Sequence, residues 1–353
     1  TKNFVQYSNL PEGRYYFRVK GSNSDKVWSI NEYSLILQVE APWYKRKIAY
    51  FFYFLLSALL VYGTVQLRTR KLIKTNKELI DKEKIAQKIA RQKEELTLKN
   101  KSITDSINYA KRIQEAMMPS DKYLKRILPN SFLFHKPKDI VSGDFAWVSE
   151  RDGKVLVAAV DCTGHGVPGA FMSILGIELF RNIPNLSWKS PGAILKQIND
   201  EFVHIFSDME DVSLRDGMDV ALCIIDKKNY TVHFAGAVNP LYLVTGDKLE
   251  EIKGSRFSIS IEKRTEEIFF EDHMVQLKKG DMIYIFSDGY ADQFGGYEGK
   301  KFKFRRFRHL LLNISQLPLD SQKEYLLESI ENWRGAYEQV DDLLVIGIRA
   351  DFE

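Results

Sequence analysis

Cysteine is nearly missing from this chain. Cys162 and Cys223 are the only two in 353 residues, and each lies inside an apolar, strand-like run. Small buried thiols in a reducing compartment account for them better than a disulfide does. No CxxC or HExxH pattern occurs, which argues against a zinc centre. No paired glycine-rich nucleotide loop accompanies a phosphoacceptor-like histidine, which argues against a histidine kinase or a nucleotide cyclase. A strong excess of one charge is lacking as well: 51 Lys and Arg against 47 Asp and Glu leave +4, too mild for an obvious nucleic-acid binder. The one basic cluster with interleaved aromatics, Lys300 to Arg308, has the apolar spacing of an amphipathic helix entry with a solvated face, and no nucleic-acid partner is expected.

Glycine and proline are lacking from Arg68 to Met118, a charged stretch rich in Lys, Glu, Ile and Ala. Its apolar positions follow a 4-3 spacing through Ile85, Ile89, Leu96, Ile103, Ala110, Ile113 and Met117, broken by Gln92, Lys99 and Ser106. That predicts a heptad seam with polar interruptions, suited to a signalling helix at residues 68–118 that pairs two chains into a homodimer. Pro119 ends it. Immediately before it, Ile48 to Leu67 carries no charge. About 20 apolar residues at roughly 1.5 Å each span a bilayer's hydrocarbon, so residues 48–67 are expected to be a single transmembrane helix. Trp43 and Tyr44 stand at one end, and Arg68, Arg70, Lys71 and Lys74 at the other. Lys45 to Lys47 blur the charge asymmetry, yet the excess of Lys and Arg after the span places the following part in the cytoplasm and residues 1–41 outside an inner membrane.

Residues 1–41 offer two strands, one in Arg14 to Lys20 with Tyr15, Phe17 and Val19 on one face, another in Ser34 to Val39. So few strands cannot enclose a core. The chain also opens on Thr, so a piece of a longer protein is expected. From residue 121 to 353 the composition turns globular. Strand-length runs appear at Ser131 to His135, Asp144 to Val148, Lys154 to Cys162, Val220 to Ile225, Thr231 to Ala235, Leu241 to Val244, Met282 to Ser287 and Leu343 to Ile348. Helical patterns fit Gly169 to Arg181, Pro191 to Phe206, Phe304 to Asn313 and Ser321 to Trp333. Consecutive strands with helices inserted in pairs predict an α+β sandwich.

Carboxylates recur at the ends of these runs. Asp161 closes Lys154 to Val160 and is followed by Gly164, Gly166 and Gly169; Asp144 follows Ser142-Gly143; Asp288 closes Met282 to Ser287; Asp341 and Asp342 precede Leu343 to Ile348. One such Asp is a turn former or a helix cap. Four that converge would repel one another and raise their pKa values, a cost that divalent cations remove.

These segments carry a resemblance. Ser142-Gly-Asp-Phe145, Val160 to Ser173, Asp216-Gly-Met-Asp219, Ala235 to Tyr242, Phe286-Ser-Asp-Gly289 and Val340-Asp-Asp342, in that order, are similar to the SpoIIE/RsbU branch of the metal-dependent type 2C serine/threonine protein phosphatases. The likeness covers roughly Ser102 to Arg349. It implies two antiparallel sheets flanked by helix pairs, with two Mn or Mg ions at one end of the sandwich. Asp144, Asp161, Asp288 and Asp341 would be the catalytic ligands, acting through metal-activated water, with the Cys162 carbonyl as a further ligand. Asp219 and Asp292 could lie around the metals, hold a weaker third ion, or be plain turn and surface residues. The resemblance implies a phosphorylated regulatory protein as substrate, an anti-sigma-factor antagonist by analogy; a catalytically silent domain that signals by binding is the alternative. His165 follows Asp161 by four residues where eukaryotic relatives place a histidine after two, so no acid role is assigned to it. Phe257-Ser-Ile-Ser260 stands where the branch commonly has Met-Pro-Ile-Gly, which bears on substrate fit. Leu10 to Ser29 resembles the end of the immunoglobulin-like domain that follows sensor propellers in bacterial membrane regulators.

Overall fold

The computed structural model describes residues 4–182, 188, 190–206, 216–261 and 268–352. The chain divides into two compact units, Thr1–Thr97 and Leu98–Glu353. In the first, β1 (Gly13–Val19) and β2 (Tyr33–Val39) pair antiparallel with Gly13 opposite Val39. Only Tyr15 and Phe17 are half-buried in β1, as a two-stranded ribbon with alternating apolar positions dictates. A short turn of 3-10 helix, Trp43–Lys45, leads into α1 (Lys47–Met117). This helix carries one stretch long and apolar enough to cross a membrane, and none of that stretch is buried within the chain. Residues of α1 from Leu98 onward belong to the second unit.

The second unit continues with α2 (Asp121–Ile127), β3 (Ser131–Lys136), β4 (Phe145–Arg151), β5 (Lys154–Cys162), α3 (Gly166–Arg181), α4 (Pro191–Ile205), β6 (Gly217–Asp226), β7 (Thr231–Ala237), β8 (Leu241–Thr245), β9 (Lys248–Ile252), β10 (Ile259–Ser260), β11 (His273–Gln276), β12 (Met282–Phe286), α5 (Gly289–Asp292), β13 (Phe294–Gly295), β14 (Lys300–Lys301), α6 (Lys303–Ile314), α7 (Leu319–Arg334) and β15 (Leu343–Arg349). One sheet runs β11-β7-β6-β5-β4, with β10 added to β6; the other runs β3-β15-β12-β8-β9; β13 and β14 form a separate hairpin. Every pairing between these strands is antiparallel.

Alternation along the strands builds the layers. On β5, Val155, Val157 and Ala159 face the other sheet and pack with Ile283, Ile285, Leu344 and Ile346, while Leu156, Ala158 and Val160 face α3 and α4 through Ile177, Phe180, Ile198 and Phe202. On the far side, Phe132, Tyr284 and Phe286 meet Phe307, Leu311, Leu326 and Ile330 of α6 and α7. The expected α+β sandwich with flanking helix pairs is therefore the fold of this unit. The strands not anticipated are mostly edge or two-residue pieces. β9 reads Lys-Leu-Glu-Glu-Ile and β11 His-Met-Val-Gln, each exposed on alternate positions as edges are. The stretch Lys300 to Arg308 enters α6, whose buried side includes Phe307.

The unit also takes in more helix than the boundary at Asp121 suggests. Gln114 is buried, and Met117 and Met118 pack against the α3/α4 side of the core.

Candidate functional site

Register brings the carboxylates to one end of the sandwich. Asp161 near the end of β5 pairs directly with Asp219 near the start of β6, and Phe145, next to Asp144, pairs with Val160. In the other sheet Phe286, two residues before Asp288, pairs with Val345, just past Asp341 and Leu343. The Asp288 backbone N–H donates to Asp161 Oδ2 at 3.3 Å, tying the two sheets at this end.

The glycines permit the approach. A Cβ at Gly143 would collide with the Gly164 carbonyl oxygen and stand 3.2 Å from that of Cys162, so only glycine lets the segment bearing Asp144 lie against the turn after Asp161. The Cys162 carbonyl thus faces the Asp144 segment, while its thiol is buried.

Asp144 is 2% exposed, and its Oδ2 has no hydrogen-bond partner. Burial pushes its pKa well up and the Asp161 charge adds to this, opposed by a hydrogen bond with Ser287. Asp161 is likewise raised by burial and then by Asp288. Asp288 rises to about 6 through burial, followed by the charges of Asp292, Asp341 and Asp219. Asp341 and Asp219 are raised by burial too, against hydrogen bonds with the Asp342 N–H and with Ser258 respectively. Ser258 belongs to the segment that departs from the common Met-Pro-Ile-Gly pattern, so its hydroxyl supplies Asp219 a contact that proline could not. Asp292, at the end of the short α5 that follows Asp288, pairs with Lys301 Nζ at 2.7 Å.

Among the described residues, no three acidic, histidine or cysteine side chains converge on one point. Each aspartate is instead turned toward its own hydrogen-bond partner, near enough to its neighbours to repel them but not enclosing an ion. The donor set is carboxylate oxygens with one carbonyl, and one buried oxygen is left over; that chemistry fits a hard divalent cation such as Mg or Mn.

Sequence reasoning named Asp342 and His165 without giving them a role, and missed Lys138, among the residues that hold this end together. Asp342 is the structural partner of the pair: its Oδ1 accepts from the Lys138 N–H at 2.6 Å and its Oδ2 from the Gly143 N–H at 2.6 Å. Asp341 Oδ1 accepts only from the Asp342 N–H beside it, at 2.9 Å, and ties no other segment. His165 stands between Asp139 and Lys138, with Nδ1 2.8 Å from Asp139 Oδ2 and Nε2 2.8 Å from Lys138 Nζ. An ammonium has no acceptor, so Nε2 accepts from Lys138 and Nδ1–H donates to Asp139. Lys138 and His165 both act electrostatically on Asp341. The signal for Lys138 was its place six residues before Asp144, which by itself distinguishes nothing.

The model of the family described as Stage II sporulation protein E (SpoIIE) matches residues 151–351. The chain belongs to the SpoIIE family. Among solved structures it is similar to the SiaA PP2C domain of Pseudomonas aeruginosa, 33% identical over 71% of this chain and 98% of that one, with a TM-score of 0.65. It is also similar to the PP2C phosphatase domain with a regulatory-domain fragment of SpoIIE from Bacillus subtilis, 24% identical over 62% of this chain and 61% of that one, with a TM-score of 0.49. A third is the structure of RsbU and RsbW domains from Mycobacterium tuberculosis, 19% identical over 63% and 60%, with a TM-score of 0.49. Among curated proteins, none matches the chain. SpoIIE membership makes residues 151–351 part of a PP2C-type phosphatase domain, from a family of metal-dependent serine/threonine phosphatases.

Proposed function

We propose that this chain is a membrane-anchored, Mn- or Mg-dependent phosphatase that hydrolyses phosphoserine or phosphothreonine on a regulatory protein. The observation that carries the reading is the buried Asp144 carboxylate with an unpartnered oxygen, crowded by Asp161 at the sandwich end where Asp288 and Asp341 also lie. Carboxylates buried together are unstable as anions without positive charge beside them. Asp144, Asp161, Asp288, Asp341 and the Cys162 carbonyl would hold two ions. When bound, these supply an activated water and offset the charge developing on the phosphoryl oxygens.

The chain's own residues set up the rest. The Asp288 N–H orients Asp161, and Asp342 fixes the backbone on which Asp144 hangs. Lys138, held by His165 and Asp139, offers its ammonium on the Asp341 side, where a substrate phosphate would meet it. Asp219, restrained by Ser258, lies close enough to act on Asp161 and Asp288; Asp292 is engaged by Lys301.

We assign residues 1–41 to the C-terminal end of an immunoglobulin-like sensor module outside the inner membrane, 48–67 to the span, 68–118 to a dimerising signalling helix and 121–353 to the cytoplasmic catalytic domain. The exposed apolar ring from Ile48 to Leu67 and the exposed seam of Ile85, Ile89, Leu96 and Ile103 support the span and the dimer. The substrate assignment, a phosphorylated anti-sigma-factor antagonist, rests on the family alone.

The test is phosphate release by the full chain in detergent from a phosphoserine peptide and an aryl phosphate, with Mn, with Mg and with chelator. Turnover that needs the metal supports the reading. A folded protein that binds a partner but releases no phosphate under any of these conditions would make it a silent output domain.

A further inference from the structure

Gln114 is the one residue of α1 that is buried, 3% exposed on a helix otherwise turned to solvent or half-covered. Its amide is spent almost entirely on one residue of the site. Oε1 accepts from the Ser142 N–H at 3.1 Å, and Nε2 donates to the Ser142 carbonyl at 2.6 Å. Nε2 also reaches the Ser173 hydroxyl of α3 at 2.7 Å. That hydroxyl in turn lies 3.1 Å from the same Ser142 carbonyl. Gln114 therefore grips the Ser142 backbone by both its donor and its acceptor, as a neighbouring strand would.

Ser142 stands two residues before Asp144 and is bonded to it. The Asp144 N–H donates to the Ser142 hydroxyl at 3.1 Å, and that hydroxyl lies 3.0 Å from the Asp144 carbonyl. His135 Nε2 is 3.0 Å from the same hydroxyl. The segment 142–144 is an irregular link that precedes β4, so its backbone groups have no ladder to satisfy them. Gln114 from α1, Ser173 from α3 and Asp342 before β15 take that role from three sides, while His135 from β3 reaches only the Ser142 hydroxyl. Of the three, Gln114 alone satisfies both backbone groups of Ser142.

We propose that Gln114 is a positioning residue of the metal site, setting where Asp144 presents its carboxylate; the proposal rests on the metal-dependent reading above. An amide is required at this place. A glutamate would set an acceptor against the Ser142 carbonyl and a charge near Asp144, and an apolar side chain would leave the Ser142 N–H buried and unpaired and the Ser142 carbonyl with the Ser173 hydroxyl alone. Partners one step removed from a ligand change metal affinity by about 10- to 100-fold when lost. Gln114 is built like such a partner, acting through backbone rather than through the ligand's own oxygens.

The test uses the full chain in detergent, with Gln114→Met, Gln114→Glu and wild type. Mn binding is measured by titration calorimetry, thermal unfolding in chelator, and phosphate release against Mn concentration. The expected result is Mn affinity weaker by about tenfold or more in Gln114→Met and weaker again in Gln114→Glu. Turnover of Gln114→Met at saturating Mn should return to within a few-fold of wild type, since the ligands remain. Should Gln114→Met not fold, Gln114→Asn, which keeps the amide but draws it back by one methylene, carries the same test. Unchanged Mn affinity together with lower thermal stability would reduce Gln114 to a packing contact and overturn the proposal. Wild type that binds no Mn would overturn the metal reading and this proposal with it, an outcome distinct from the first.

Discussion

The two compact units contrast sharply in what they bury. No described residue through Thr97 is buried, and Trp28, Tyr33, Phe51, Phe54 and Leu60 lie more than half exposed. From Leu98 onward the chain closes three hydrophobic cores around two sheets. Both parts are rich in apolar residues, so composition does not separate them. The difference lies in whether alternation and pairing give each apolar face another face to cover. The second unit covers its own apolar faces, whereas the first leaves most of its apolar side chains exposed.

The contrast can be broken most directly by cutting the chain. A chain starting at Leu98 is expected to unfold in one cooperative transition without detergent, while residues 1–97 alone aggregate unless lipid or detergent is supplied. Monomeric, soluble behaviour of the first part, read by sedimentation, would end the comparison. Moving the cut to Asp121 sharpens it: Gln114, Met117 and Met118 are lost, leaving the Ser142 N–H unpaired. Denaturant titration should then show a loss on the order of 3 kcal/mol or more relative to the Leu98 start.

A smaller effect is expected inside the second unit. Gly143→Ala drives a methyl group into the Gly164 carbonyl, a backbone atom that cannot swing aside. About 1–3 kcal/mol of stability should be lost in denaturant titration, with Mn affinity falling alongside. Gly153→Ala, in the β4–β5 turn at the other end of these strands, is also strained but should leave Mn affinity unchanged.

The site should also make this unit respond to pH in a way the first does not. Asp288 titrates near 6 when folded, above an ordinary aspartate, so between about 4 and 6 the folded state binds the extra proton. Stability of the metal-free protein therefore falls as pH rises through that window. Mn binding runs the other way, weakening as pH drops below about 6 because protons compete for the same oxygens. Thermal unfolding in chelator and Mn titration across pH 4 to 8 check both slopes. Asp144→Asn should flatten part of the first slope and remove most of the second.

The smallest effect lies at the surface. Glu331 is held below its usual pKa by hydrogen bonds with Lys136 and Arg334, yet all three side chains remain about one-third exposed. Its contribution is present above the ordinary glutamate range and is lost as pH falls below it. Glu331→Gln should cost less than about 1 kcal/mol at neutral pH in the same titration.

Much of this architecture was legible because apolar periodicity reports burial. Lys154 to Cys162 is β5 from end to end, and the expected helices at Pro191 and Ser321 begin within two residues of α4 and α7. Edge strands such as β9 were not legible, since half their positions meet solvent and read as loop. At the site, Asp161 and Asp288 stood out as charges closing apolar runs. Asp341 and Asp342 could not be told apart by pattern; only the hydrogen bonds of Asp342 to Lys138 and Gly143 mark it as the carboxylate that ties distant segments together. Gln114 was invisible for a different reason. A polar residue beside a heptad seam reads as solvated, and nothing local reveals that a loop 28 residues away consumes its amide.

The most direct measurement is the number of Mn ions the full chain binds, by calorimetry at neutral pH, in wild type and in Asp161→Asn. Two ions per chain in wild type, with binding abolished or reduced to one weak site in the variant, is the predicted result. Wild type that binds no ion, or an Asp161→Asn variant that binds two as tightly, would contradict the claim that these buried aspartates form a divalent-metal site.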